Sequence, residues 1–133
     1  MELIGAIKLS SDSVLVMDEV VFHIVDAESW REAKGQHEYV PERYDSEGFI
    51  HLSGLGQVLR PANLLYRDRS DLLLLQVSVR ALTSELRYEP GSHGEEELFP
   101  HLYGPLNVDA VVDVHAFACL PDGSFELPEA LAP

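Results

Sequence analysis

The run from Leu72 to Val79 places the strongest constraint on the fold. It is broken only by Gln76 and Ser78. A strand with one wet face alternates apolar and polar residues, and this one does not. It is therefore expected at the centre of a sheet, buried on both faces. The turn Asp68-Arg69-Ser70-Asp71 leads into it.

Further strands follow from β-branched and aromatic content. Val20 to Val25 and Ala110 to Leu120 are the clearest, Phe49 to Leu52 is a short buried one, and Leu86 to Glu89 alternates as if half exposed. Leu3 to Leu9 and Val14 to Met17 read as a hairpin. Phe99 to Leu106 holds two prolines and a glycine and reads as an ordered turn. His37 to Tyr44 is a loop or short strand, and Pro90 to Glu97 a loop.

Helix signals are few. Asp26 suits an N-cap for Ala27 to Lys34, with Gly35 after it. Ser53 is placed to cap Leu55 to Tyr66, where Pro61 dictates either two short helices or a kinked one. The expected architecture is α+β: a bent, split, mostly antiparallel sheet with two or three short helices. At 133 residues the chain reads as one domain, with residues 1–20 as an extension, 21–120 as the core and 121–133 as a tail anchored by Phe125 and Leu127.

Composition narrows the function classes. The formal charge of −14, with only nine Lys or Arg, opposes broad nucleic-acid binding. A local basic cleft from Arg60, Arg67 and Arg69, or from Arg43 and Arg87, stays open. The one cysteine, Cys119, lies in an apolar run and reads as a buried, inert thiol. Neither a leader-like start nor a membrane-length apolar run is seen, so a cytoplasmic location is expected. Walker, Rossmann, G-x-S-x-G and H-E-x-x-H patterns are absent.

What stands out chemically is three histidines in apolar surroundings. In Glu47-Gly48-Phe49-Ile50-His51-Leu52-Ser53, the period of two puts Phe49, His51 and Ser53 on one face and sends Ile50 and Leu52 into the core. His23 shares a face with Val21 and Val25. His101 sits in Phe99-Pro100-His101-Leu102-Tyr103-Gly104-Pro105-Leu106, where two prolines stiffen the backbone and Tyr103 can point into the same cleft. Each histidine either bonds a ligand or is a core histidine satisfied by backbone groups; spacing leaves both open. No pair has the i, i+2 or i, i+4 spacing that commonly builds a zinc site, so no metal is expected. His93 belongs to a solvated acidic loop with Glu95, Glu96 and Glu97, and His37 and His115 lie in no motif.

Taken together, these strings, with Trp30, Ala33, Gly35, Tyr39, Pro41, Gln57, Ala62, Asn63 and Arg87-Tyr88-Glu89, resemble the bacterial family known as domain of unknown function 952, over about residues 21–115. A more distant resemblance is to the ADP-ribosyltransferase superfamily, in its RNA 2′-phosphotransferase branch. There, a strand histidine, a helix with a tryptophan, a glycine-led loop and a Val-His-Leu strand follow in the order of His23, Trp30, Gly35 and Ile50-His51-Leu52. That resemblance implies a cleft for NAD or a related nucleotide, with His23 near the nicotinamide ribose and His51 on the adjacent strand. It makes His51, His23 and His101 the catalytic candidates, and His23, Ser53, Tyr103 and Trp30 the cofactor contacts. The chain reads His23-Ile24-Val25 where that branch has His-Gly-Thr, and it carries no clear late-strand glutamate, Glu89 reading as a surface residue. RNA 2′-phosphate transfer is not expected. The alternative is a non-catalytic module for a small molecule or a protein.

Overall fold

A computed structural model describes residues 19–133. The hairpin expected over Leu3 to Met17 lies outside the described residues. Among the described residues, eight strands and three α-helices follow in order: β1 (Val20–Asp26), α1 (Ala27–Lys34), β2 (Glu38–Tyr39), α2 (Tyr44–Glu47), β3 (Ile50–His51), α3 (Leu59–Leu65), β4 (Leu72–Ser78), β5 (Glu85–Pro90), β6 (Leu98–Tyr103), β7 (Leu106–Asn107) and β8 (Val111–Ala116). All described pairings are antiparallel, in the orders β1-β4-β8, β2-β7 and β3-β6-β5. The fold class is α+β, as expected.

β4 is the central strand its composition demands. Leu75 and Val77 enter one core cluster, with Val21, Val25, Trp30, Ile50 and Leu102. Leu72 and Leu74 enter another, with Phe22, Phe117 and Phe125. Because both faces are covered, alternation is lost although the strand is antiparallel. Phe125 anchors the tail, and Leu127 packs beside it. Cys119 packs on this second cluster but is only half buried.

Helix α1 begins as expected: the Asp26 side chain accepts a hydrogen bond from the Ser29 amide at 2.9 Å. Gly35 ends it in a right-handed conformation, and the positive φ falls on His37, at 70°. Pro61 is accommodated because α3 starts at Leu59, placing proline in a first turn that needs no amide donor there. A short 3₁₀ turn, Leu55–Gln57, precedes it.

Three expectations are corrected. Ser53 does not cap a helix: its backbone exchanges two hydrogen bonds with Phe22, of 2.7 and 2.8 Å, joining β1 to the β3 segment. The cap position falls to Gly54, whose amide donates to the Gln57 side chain at 2.9 Å. Phe99 to Leu106 is largely strand rather than turn. The Pro100 carbonyl accepts from the Leu52 amide at 3.0 Å, so the prolyl nitrogen lies on that same side, where β3 ends and Ser53 turns to Phe22. A missing donor is tolerated at such a strand end. Finally, β8 is shorter than Ala110 to Leu120 and mostly exposed, because it lies at the edge of its sheet.

Candidate functional site

The three histidines come from three strands. His23 projects from the middle of β1, His51 from the end of β3, and His101 from β6, where it is the register partner of His51. The Phe22–Ser53 bridge holds β1 against the β3 segment. All three line one cleft of about 380 Å³, together with Tyr39, Phe49, Ser53 and Phe99. That volume suits a small-molecule ligand.

Each imidazole spends one nitrogen on the protein. His23 Nδ1 is 2.7 Å from the His51 carbonyl oxygen. A carbonyl only accepts, so Nδ1 carries the proton and Nε2 the lone pair. Nε2 is buried and has no hydrogen-bond partner among the described residues. Burial pulls the His23 pKa down to about 4, against the opposing effect of the His51 carbonyl. The ring is therefore neutral at neutral pH.

His51 Nε2 lies 3.0 Å from Glu47 Oε1, and the same logic makes Nε2 the donor. Burial lowers the His51 pKa, while the Glu47 carboxylate works in the opposite direction. Arg43 stands 3.5 Å from the other Glu47 oxygen. His101 Nδ1 donates to the Phe99 carbonyl at 2.8 Å. Phe49 packs between the last two rings, with centroids 4.7 Å from His51 and 4.6 Å from His101. Tyr39 packs on His23 at 5.4 Å, and burial raises its hydroxyl pKa.

The remaining expected site residues divide. Ser53 lines the cleft. Trp30 is 5% exposed, sits in the core and does not line the cleft. Tyr103 is also off the cleft wall. Its hydroxyl donates to the Glu89 carboxylate, and the Arg87 guanidinium lies 4.4 Å over its ring. Of the arginines considered for a basic cleft, Arg43 and Arg69 line it, Arg69 being held by Asp71 at 2.7 and 2.8 Å. Arg60 pairs with Glu95 at 3.3 Å, and Arg67 donates to the Asp122 carbonyl at 2.9 Å.

Sequence reasoning missed Glu47 and Tyr39. Glu47 stood four residues before His51, but its role depends on a reversal at Gly48, where φ is 82°. Among the described residues, no three His, Cys, Asp or Glu side chains converge as a metal site. Nor is any described helix long and apolar enough to cross a membrane.

Fold and site thus define an antiparallel α+β protein with a cleft walled by three histidines. The family model described as protein of unknown function (DUF952) matches residues 24–114, and the chain belongs to that family. Its structure is similar to the crystal structure of protein CC0527 from Caulobacter crescentus, with 30% identity over 86% of this chain and 99% of that one, and a TM-score of 0.76. The solution NMR structure of CC0527 gives a TM-score of 0.68, again at 30% identity, over 84% of this chain and 92% of that one. No curated protein matches the chain.

Proposed function

We propose that the histidine-lined cleft binds a small molecule of the nucleotide class, with NAD as the first candidate. The observation that carries this reading is the bare, buried Nε2 of His23, a residue that lines a ligand-sized cleft. Leaving such an atom without a donor costs about 1–3 kcal/mol, and a ligand hydroxyl or N–H relieves that cost. A ribose supplies hydroxyl donors. The aromatic faces of Phe49 and Tyr39 offer flat apolar surface for a base. Arg43 and Arg69 offer positive charge for phosphates, though each is already engaged by an acid, Glu47 and Asp71. The order of His23, Trp30 and His51 supports an ADP-ribosyltransferase-like reading. On it, Trp30 shapes the site only from the core and Tyr103 only through its 5.5 Å contact with Phe49.

A second reading, binding without turnover, is favoured by His23 itself. A group held neutral down to about pH 4 accepts hydrogen bonds well but is a poor acid or base near neutrality. A thermal-shift titration with NAD, ADP-ribose and nicotinamide, run beside His51→Ala, tests the binding claim. Dose-dependent stabilisation that is lost in the variant supports it. No shift at millimolar ligand overturns it. Mass spectrometry of the recovered ligand then separates binding from turnover.

A further inference from the structure

We propose that Glu47 and His51 form a general-base pair, in which His51 Nδ1 takes a proton from a water or ligand hydroxyl in the cleft and Glu47 is the positioning residue. This rests on the cleft being a ligand site. Three observations carry it. First, the carboxylate at 3.0 Å fixes the proton on Nε2, so the neutral ring must present its lone pair at Nδ1. Second, Nδ1 has no partner among the described residues, although His51 lines the cleft. Third, the pair is braced from outside. Gly48, in the left-handed region at φ 82°, turns the chain so that the end of α2 faces β3, and its amide donates to the Tyr44 carbonyl at 2.7 Å. Arg43 holds the far oxygen of Glu47, and Phe49 packs edge-on against the imidazole.

In the step itself, an O–H bond breaks and an N–H bond forms at Nδ1, while the electron pair stays on the oxygen. The resulting imidazolium keeps its Nε2–H on Glu47, whose negative charge compensates the new positive one. The other titratable or charged groups around His51 are Arg43, His101, with its ring centroid 6.0 Å away, and His23. Arg43 and His101 oppose a positive charge there, the neutral His23 adds none of its own, and Glu47 alone favours it. Removing the carboxylate therefore weakens the base.

The pair is testable without a ligand, so its failure is distinguishable from a failure of NAD to bind. Side-chain 15N NMR of the full chain should find His51 as the Nε2–H tautomer. In Glu47→Ala the tautomers should mix, and the ring should titrate about one pH unit lower. Glu47→Gln, which keeps an acceptor oxygen but loses the charge, should retain the tautomer yet still titrate lower. Diethyl pyrocarbonate, which acylates unprotonated imidazole, gives the reactivity. Its rate at His51, followed by peptide mass spectrometry, should fall about threefold in Glu47→Ala, with the rates at His37 and His93 unchanged. An Nδ1–H tautomer in the wild type overturns the proposal, and so does a His51 rate and titration that Glu47→Ala leaves unmoved.

Discussion

His23 gives its one N–H to the backbone carbonyl of His51, 28 residues away, at 2.7 Å. The contact ties β1 to β3 through the main chain of His51, so the His51 side chain takes no part in it. His51→Ala should therefore keep this bond and lose less than about 1 kcal/mol of stability, as for a half-exposed residue. It should abolish ligand-induced stabilisation. Urea denaturation with and without NAD measures both.

The buried His23 makes stability depend on pH. Its folded pKa lies near 4, below the ordinary value of 6.5, so between those values the unfolded chain binds a proton that the folded one refuses. The stabilisation is fully present above about pH 6.5 and is lost as pH falls toward 4, amounting to about 3 kcal/mol at most. His51 changes with the same sign. The comparison is thus with His23→Gln, which should lose markedly less stability than the wild type between about pH 7 and about pH 4.5 in urea titrations.

Trp30 belongs to the core cluster of Val21, Ile50 and Leu102 and does not line the cleft. Trp30→Phe should destabilise the fold by about 1–3 kcal/mol while leaving the affinity for NAD within about twofold. A calorimetric titration at a temperature where both proteins are folded checks this.

Gly104 holds φ at 150°, and a Cβ there would meet the Ser84 Cβ at 2.7 Å. Ser84 is itself fixed, its hydroxyl donating to the Pro105 carbonyl at 2.7 Å. Gly104→Ala should cost about 2–3 kcal/mol through strain and crowding at the end of β6. Adding Ser84→Gly should recover part of that loss in urea melts.

The parts of this protein legible in its sequence are those set by local period. The run from Leu72 to Val79 announced a strand covered on both faces, and the alternation around His51 placed Ile50 and Leu52 inside with His51 and Phe49 on the cleft. What stayed hidden depends on long-range geometry. Pro100 disguised a strand as a turn, because nothing local shows that its missing donor faces the end of β3. Ser53 looked like a helix cap until Phe22 claimed its backbone. The Glu47–His51 contact needs the reversal at Gly48, and Tyr39 meets His23 from β2, whose pairing with the distant β7 no local pattern shows.

The most direct test of the cleft follows the histidine nitrogens themselves. Protein with 15N-labelled histidine would be titrated with NAD to millimolar concentration near neutral pH. The Nε2 resonance of His23 and the Nδ1 resonance of His51 are expected to move along one saturable curve, while His37 stays still. If neither nitrogen responds at millimolar NAD, the cleft is not a nucleotide site and the bare acceptor of His23 is a feature of the core.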